Sequence, residues 1–175
     1  MRSLKIVNVK FSLKLNNIMY QDVVESTKNM VIKEKSNFIV VFGKYTYTIF
    51  KKSKSTSNLH CNVTKVPDLE NISHAIDYLH NFLHGINISN LSVDNITSTT
   101  SLNEKISLEK LFEKLSPIYP VKYQLQKFPA LFVKYASNND RITIFFFSSG
   151  KINCVGCKNS VHVKRVSDWL DSLTI

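Results

Sequence analysis

The strongest constraint on the fold of this chain is an internal repeat in the order of its predicted elements. Each half reads as a strand, a short helix, several strands and a longer helix. Matched positions keep nearly constant offsets of 87, 90 and 93 residues: Asn8 with Asn95, Phe38 with Phe128, and Lys65 with Lys158. The pattern predicts two α+β repeats, residues 1–86 and 87–175, that together form one compact domain.

The elements within each repeat follow from local patterns. Alternating apolar and polar residues over 4–13 predict a half-buried strand, and Asn17 is expected to cap a short helix over 18–27. Asp68 and Ser107 are expected to cap two later helices, and residues 163–173 predict a last amphipathic helix. Runs rich in β-branched and aromatic residues between them predict antiparallel strands.

Composition narrows the class of protein. The 175 residues carry 23 Lys+Arg against 13 Asp+Glu, a net charge of 23 − 13 = +10, which suits a polyanionic partner. With 43% hydrophobic residues the chain can bury a core. No apolar run approaches the ~20 residues of a membrane span, so no membrane partner is expected. Three cysteines do not predict a disulfide framework.

Three motifs in the second half carry a resemblance to a known family. They are the segments 127–131 (KFPAL), 144–151 (IFFFSSGK) and 155–158 (VGCK), and residues 94–97 (DNIT) add a fourth match. Together they resemble the C-terminal repeat of the TATA-box-binding protein family, which has a Phe-Pro-Gly-Leu segment, an Ile-Phe-x-Ser-Gly-Lys turn and a Gly-Ala-Lys ending. The resemblance is specific over residues 89–160 and limited to the order of elements over residues 1–86.

The resemblance implies a fold and a function. The fold would be a saddle: two pseudo-symmetric repeats forming one curved antiparallel sheet, with four helices on its convex side. The concave side would bind and bend AT-rich promoter DNA in the minor groove, where apolar side chains wedge between base steps. Such a factor nucleates a transcription initiation complex and recruits the RNA polymerase machinery. The expected location is the nucleus, or a viral transcription compartment if the chain is virus-encoded.

The resemblance also assigns candidate DNA-binding residues. The wedges of the second repeat would be Phe128, which precedes Pro129, and Phe147. Those of the first repeat would be Phe38 and Phe50, with Phe42 as an alternative for one of them. Asn8 and Asn95 match the paired asparagines of the family, whose amides can bond to the acceptors on A·T edges.

Other positions match the floor and the rim of the family's groove. The floor positions are Lys10, Ser12, Thr48, His60 and Asn62 in the first repeat, and Thr97, Phe145, Asn153 and Val155 in the second. This floor is more polar than the apolar floor of the family, and Lys10 is the sharpest departure. The lysines that match phosphate-contacting positions are Lys44, Lys65, Lys134, Lys151 and Lys158.

The positions at which this sequence differs from the family pattern bear on the expected partners and on alternative functions. Residues 123–127 (YQLQK) lack the carboxylates with which the family meets a TFIIB-type factor, so a TFIIB-like or a dedicated initiation factor is expected. Two alternatives stay open: an adaptor of the same fold that acts through protein contacts with little DNA binding, and a binding module of a DNA-processing enzyme.

The sequence predicts neither catalysis nor a metal site. No catalytic set, metal site or cofactor motif is found, so the chain is not expected to be an enzyme. Cys154 and Cys157 have a metal-ligand spacing but no second pair, and we interpret them as small apolar strand residues. His80 and His84, one turn apart on a predicted helix, are interpreted as solvated.

Overall fold

A computed structural model of the protein describes residues 3–51, 57–137 and 140–173. The chain divides into two compact units: the N-terminal unit is Asn8–Asp94, and the C-terminal unit combines Asn95–Ile175 with Met1–Val7. These bounds differ from the predicted repeats at 86/87, because the first residues of the chain join the C-terminal unit and the division falls inside the strand Asn87–Ser101 and not before it. The repeat boundary itself stays a prediction.

In the described part of the N-terminal unit, an antiparallel sheet has the strand order β2-β3-β4-β5-β1. Its elements, in chain order, are β1 (Lys5–Asn16), α1 (Tyr20–Ser26), β2 (Val31–Lys35), β3 (Phe38–Phe42), β4 (Thr46–Phe50), β5 (Asn58–Val66) and α2 (Asn71–Phe82). β2, β3 and β4 each pair with the next strand along the chain, and β5 also pairs with β1.

The described part of the C-terminal unit repeats this arrangement, with the strand order β6-β10-β9-β8-β7. Its elements are β6 (Asn87–Ser101), α3 (Leu108–Leu115), β7 (Val121–Tyr123), β8 (Ala130–Ser137), β9 (Asp140–Phe147), β10 (Lys151–Cys157) and α4 (Ser160–Ser172). β6 begins in the N-terminal unit and continues into this one.

Alternating burial gives each sheet two different faces. In β1, the side chains of Val9, Phe11, Leu13 and Leu15 are buried and those between them are half-buried, as the sequence alternation predicts. The buried faces carry the helices: the Tyr47 hydroxyl donates to the Ala75 carbonyl of α2 (2.7 Å), and Trp169 of α4 packs against Tyr135 with ring centroids 5.3 Å apart.

The opposite side of each sheet is called here its open face. In the N-terminal unit it carries Asn8, Lys10, Ser12, Thr48 and Asn62, and in the C-terminal unit it carries Thr97, Phe145, Asn153 and Val155, all of them half-buried. Every floor position named from the sequence other than His60 is in this set. His60 lies in β5 two residues from Asn62 and is exposed.

The helix caps confirm two expectations and overturn one. The Ser107 hydroxyl accepts from the Lys110 N–H (3.3 Å), and the Asp68 carboxylate accepts from the Asn71 N–H (2.9 Å) at the start of α2. Asn17 is not a cap, because its φ of 60° belongs to the left-handed turn that ends β1. α1 begins at Tyr20, and the Asp22 carboxylate accepts from the Met19 N–H (2.9 Å).

Two further points concern the helices. α2 ends at Phe82, so His84 lies beyond it and does not share a helix face with His80. Among the residues that the structure describes, no helix combines the length and the apolar character needed to cross a membrane.

Candidate nucleic-acid interface

Two phenylalanines meet on the open face of the N-terminal unit. Phe38 at the start of β3 lies directly opposite Phe50 at the end of β4, and their ring centroids are 5.9 Å apart. His60 on β5 continues the row, 5.8 Å from the Phe50 ring. Phe42 is 37% exposed but lies at the other end of β3, so the aromatic pair at this end of the hairpin is Phe38 with Phe50.

The C-terminal unit has a larger aromatic cluster at the matching end of its β8–β9 hairpin. Phe128, which lies just before β8 and is 41% exposed, has its ring centroid 6.1 Å from that of Phe147. Phe132 and Phe145 extend the cluster, with centroids 4.9 Å apart. Pro129 separates Phe128 from the strand, and the Ala130 N–H donates to the Phe128 carbonyl across it (2.9 Å).

Strand register shows that the two aromatic pairs are not built from equivalent positions. Phe38 lies opposite Phe50, whereas the residue opposite Phe147 is Ala130. Phe128 therefore lies two residues before the position that Phe38 occupies in its own hairpin. The sequence offset of 90 between Phe38 and Phe128 thus matches similar residues but not equivalent places, because a register cannot be read from residue type alone.

The paired asparagines are held in the same way in both units. The Asn8 side-chain oxygen accepts from the Lys65 N–H (3.1 Å), and the Asn95 side-chain oxygen accepts from the Gly156 N–H (2.6 Å). Both donors lie at register shifts of the neighbouring strand and have positive φ, 63° for Lys65 and 99° for Gly156. The Asn8 amide then has its NH₂ group left to donate, and the Asn95 NH₂, which also donates to the Thr97 hydroxyl, keeps one hydrogen.

The same contacts correct one sequence match. Lys65 and Gly156 share a backbone conformation and a side-chain acceptor, so Gly156 is the counterpart of Lys65 in the C-terminal unit. Lys158, matched to Lys65 by sequence, lies two residues further on and just after β10. The two lysines are both exposed but belong to different places in their units.

Facing rows of side chains cross the middle of each open face. The N-terminal row is Val40, Thr48, Asn62 and Ser12, on β3, β4, β5 and β1. The C-terminal row is Phe132, Phe145, Asn153 and Thr99, on β8, β9, β10 and β6. The first row is mainly polar, and half of the second is aromatic.

Hydrogen bonds hold Ser12 and Asn62 in the N-terminal row and Asn153 and Thr99 in the C-terminal row. The Ser12 hydroxyl donates to the Asp94 carboxylate (3.0 Å), and the Asn62 side-chain oxygen lies 2.8 Å from the His60 ring nitrogen Nε2. In the C-terminal row, the Thr99 hydroxyl donates to the Asn153 side-chain oxygen (2.9 Å). Near them, the Asn95 NH₂ donates to the Thr97 hydroxyl (3.3 Å).

The lysines matched to phosphate contacts are all exposed, and they occupy different elements. Lys44 lies in the β3–β4 turn with its Nζ 5.5 Å from the Tyr45 ring centroid, and Lys134 lies on β8 opposite Thr143. Lys151 is the first residue of β10. Lys10 differs from these five, because it is half-buried within the open face of β1.

The cysteines are buried, as expected for strand residues. The Cys154 and Cys157 sulfurs lie 3.7 Å apart, and this hydrogen bond together with burial raises the pKa of the Cys154 thiol. Burial also raises the pKa of the Cys61 thiol, so these groups are poor ligands and nucleophiles. Within the described ranges, no group of three or more His, Cys, Asp or Glu side chains is placed to hold a metal ion.

Three residues of this surface were not found from the sequence. Phe132 enters the aromatic cluster, Gly156 holds Asn95, and Asp94 holds Ser12. A glycine inside a strand pattern is a signal for a bulge, so Gly156 could have been identified. A Cβ at Gly156 would lie 2.4 Å from the Arg141 carbonyl oxygen, which excludes other residues from this backbone. Nothing in the sequence pairs Asp94 with Ser12.

Comparisons with known proteins agree with this architecture. The family model described as "Transcription factor TFIID (or TATA-binding protein, TBP)" matches residues 90–170. The TATA-box-binding protein of Picrophilus torridus is 33% identical over 78 residues, which are 45% of this chain and 40% of that protein. TATA-box-binding protein 3 of Methanosarcina mazei is 35% identical over 71 residues, 41% of this chain and 36% of that protein. The matched segments thus span about two fifths of these relatives.

A solved structure extends the likeness beyond the matched segment. Methanococcus jannaschii TBP has the same fold with a TM-score of 0.73, over 96% of this chain and 95% of that chain, at 21% identity. The fold class expected from the sequence is therefore confirmed. Residues 90–170 are thus similar in sequence to the TATA-binding protein family, and nearly the whole chain shares the fold of Methanococcus jannaschii TBP.

Proposed function

We propose that this protein is a divergent TATA-box-binding-protein-like initiation factor that binds and bends duplex DNA through the minor groove. Each unit would contact its own part of the site with its open face. The observation that carries the proposal is the pair of neighbouring phenylalanines at the same end of each hairpin. The protein would act by binding, as a transcription factor and not as an enzyme.

The phenylalanine pairs have the properties of DNA wedges. A wedge has to be rigid, apolar and accessible, because it replaces the stacking of one base on the next. Phe128 exposes 41% of its surface, although a phenylalanine of a stable monomer is ordinarily buried. Its packing against Phe147 and Phe132 restricts the ring without covering it. In the N-terminal unit, Phe38 and Phe50 support each other in the same way.

The asparagines supply donors that suit A·T pairs. The minor-groove edge of A·T presents only the acceptors adenine N3 and thymine O2. Asn8 and Asn95 have their oxygens occupied by backbone N–H groups, so the end of each amide that can meet the groove is the NH₂ donor. The bulges at Lys65 and Gly156 therefore orient the asparagines for minor-groove recognition.

Charge supports a nucleic-acid partner. Lys44, Lys65, Lys134, Lys151 and Lys158 are exposed, and the whole chain carries a net charge of +10. Lysines that neutralise phosphates fix the position of a protein on the duplex and make its affinity dependent on salt. They add no sequence preference.

Recruitment of other initiation factors completes the proposal. Residues 124–127 between β7 and β8 contain no carboxylate, so the partner at this loop would be a dedicated factor or a TFIIB-like factor with a divergent surface. The RNA polymerase machinery would assemble through this partner. The proposed location is the nucleus, or a viral transcription compartment.

The test is a bending assay with a donor and an acceptor dye at the two ends of an AT-rich duplex. The double variant Phe128→Ala with Phe147→Ala should lose the bend, because the apolar groups that unstack the bases are gone. Phe112→Ala is the matched control: Phe112 is also exposed (36%), but it lies on α3. Unchanged energy transfer in the double variant, with its fold intact by circular dichroism, would exclude the wedge assignment.

A protein adaptor is the second candidate, and Lys10 favours it. A half-buried lysine within the open face weakens apolar contact with base edges. Affinity measured from low to high salt separates the two functions, because DNA binding through about four to eight phosphates falls steeply with salt. A shallow salt dependence with an intact fold would favour the adaptor.

A further inference from the structure

The middle row of each open face continues onto the outer strand of its sheet, where it ends in a lysine. In the N-terminal unit, Lys33 of β2 lies directly opposite Val40 of the row. In the C-terminal unit, Lys122 of β7 lies directly opposite Phe132. Residues that are directly opposite each other in an antiparallel pair have their side chains on the same face. Both lysines are therefore on the open face, and both are exposed.

Strand register makes these two lysines equivalent. Starting from Ser12 of β1, successive pairings lead across β5, β4 and β3 to Lys33. Starting from Thr99 of β6, the corresponding pairings lead across β10, β9 and β8 to Lys122. Ser12 and Thr99 are themselves related by the offset of 87 that the paired asparagines have. Each row thus continues to a fifth position, and in both units that position is a lysine.

Charge is separated between the two faces of these outer strands. In β2, Glu34 lies opposite a buried residue of β3 and so on the side that carries the helices, whereas Lys33 is on the open face. In β7, the Tyr123 hydroxyl donates to the Glu109 carboxylate of α3 (2.6 Å), whereas Lys122 is on the open face. The other four members of each row are uncharged. Each row therefore ends in a cation that has no carboxylate beside it within the row.

The outer strands lie beyond the phenylalanine pairs of the proposed wedges. Phe38 and Phe50 are on β3 and β4, and β2 is the next strand outward. In the C-terminal unit, Lys122 lines a small cleft together with Phe128 and Phe132. On a duplex that runs along the row, a lysine one strand beyond a wedge is about one to two phosphates further out, because neighbouring strands are about 4.8 Å apart and successive phosphates of one DNA strand about 3.4 Å apart along the axis.

Exposed ammonium groups at this place suit phosphates. A lysine ammonium is a point charge that binds phosphate oxygens and carries no preference among bases. A wedge that unstacks two bases costs free energy, and protein contacts with the DNA on both sides of the kink can offset that cost. Contacts on the outer side of each kink have to come from the outer strand or from the loop next to it.

We propose, on the basis of the proposed function, that Lys33 and Lys122 bind phosphates of the DNA just outside the two wedges. Each unit would then hold the duplex on both sides of its wedge, with the row in the groove on the inner side and the lysine on the backbone on the outer side. These contacts add to those of the five lysines matched to phosphate positions. They lengthen the contacted site and increase its salt dependence without changing the sequence preference.

The first experiment measures the affinity of the full-length protein for a long AT-rich duplex as a function of salt. The double variant Lys33→Gln with Lys122→Gln removes both charges and keeps part of each aliphatic stem. The slope of log affinity against log salt should become shallower by about two, because each phosphate contact contributes about 0.9. Affinity at about 0.1 M salt should fall by at least about tenfold. Lys33→Arg with Lys122→Arg should keep the wild-type slope, because the charges are retained.

The control variant is Lys28→Gln with Lys164→Gln, which also removes one lysine from each unit. Lys28 pairs with Glu25 of α1, and Lys164 pairs with Asp168 of α4 at 3.1 Å. Its salt slope should stay that of the wild type, because both lysines are paired with carboxylates next to them on the helices. If the two double variants change the slope equally, net charge alone explains the effect and the proposal is wrong.

The second experiment locates the contacts by ethylating the phosphates of the same duplex at random and finding which of them then interfere with binding. The outermost interfering phosphates of the wild-type protein should no longer interfere with the Lys33→Gln, Lys122→Gln variant, while the inner ones remain. An identical pattern would overturn the proposal. So would a variant that changes only its oligomeric state, since edge lysines can also keep sheet edges from pairing. If no phosphate interferes with binding of the wild-type protein, the proposed function itself is wrong.

Discussion

The N-terminal and C-terminal units share the order of their elements but differ in how firmly side chains define the open face. In the C-terminal unit, four phenylalanines form one cluster and a glycine makes the bulge. In the N-terminal unit, two phenylalanines form a pair and a lysine occupies the bulge at φ 63°. The contact that both units keep is the one from a bulge N–H to an asparagine.

The backbone arrangement that holds the asparagine is the same in both units, although the side chains around it differ. Such a bulge forms through the positive φ of one residue and its pairing with the partner strand. It does not depend on which side chains lie next to it on the open face. The middle rows, by contrast, can exchange aromatic for polar side chains without altering the strand pairing.

The largest difference between the two units is expected in how a substitution at the bulge changes the free energy of unfolding. Gly156→Ala should lower the free energy of unfolding by about 3 kcal/mol, because the new Cβ would lie 2.4 Å from the Arg141 carbonyl oxygen at a φ of 99°. Lys65→Gly should leave it unchanged or raise it by up to about 1 kcal/mol, since glycine adopts positive φ without strain. Urea unfolding of the three proteins measures both changes. A tolerated Gly156→Ala would show that the two bulges are equally permissive.

The next largest difference between the units is expected in how the middle rows affect DNA affinity. Phe145→Thr gives the C-terminal row the residue that Thr48 provides in the N-terminal row. Binding to a duplex with G·C pairs at the centre of the site should rise by about tenfold, because a hydroxyl replaces a ring that cannot pair with the amino group that guanine exposes in the minor groove. Competition binding with Phe112→Ala as the control measures the effect. No gain with a folded variant would mean that Phe145 does not limit base choice.

The smallest effect is expected at the outer strands, where a single hydrogen bond contributes to thermal stability. In the C-terminal unit, the Tyr123 hydroxyl of β7 donates to the Glu109 carboxylate of α3 (2.6 Å). This hydrogen bond lowers the pKa of Glu109 and raises the pKa of Tyr123 to about 12. Because the folded-state pKa of Glu109 is depressed, its contribution is present above the unfolded pKa and is lost as pH falls through the folded value.

Tyr123→Phe should therefore lower the melting temperature slightly at pH 7 and leave it nearly unchanged at a pH below the folded pKa of Glu109. Thermal unfolding followed at several pH values gives the measurement. Glu113→Gln, a change of another α3 carboxylate with an exposed side chain, is the control for net charge. A pH-independent effect of Tyr123→Phe would show that the hydrogen bond does not stabilise the folded state.

The sequence predicted the elements and the sheet faces well, for a local reason. Alternation in β1 and helical spacing in α3 and α4 are properties of short segments, so the buried positions of these elements could be named in advance. The floor positions Thr48, Asn62, Phe145 and Asn153 share the open face for the same reason. The fold class rested on the motifs of residues 127–158, and the fold comparison confirms it.

What the sequence missed depends on contacts between distant segments. The two-residue difference between Phe38 and Phe128 is a matter of strand register, which similar residues do not reveal. The bond from Ser12 to Asp94 joins residues 82 positions apart. Asparagine is a residue type that commonly caps helices, but it also tolerates the left-handed conformation. Asn17 adopts that conformation in the turn after β1.

The division of the chain places residues from both sides of the N-terminal unit in one folded body. Leu4 is only 8% exposed, and it lines one cleft with Val163 and Lys164 of α4. In topological terms, the N-terminal unit is an insertion within the C-terminal unit. The contacts of Leu4 are therefore among the longest in sequence separation, and such contacts form late because the loop they close is costly in entropy. During synthesis, the N-terminal unit can complete its own sheet before α4, against which these first residues pack, has been made.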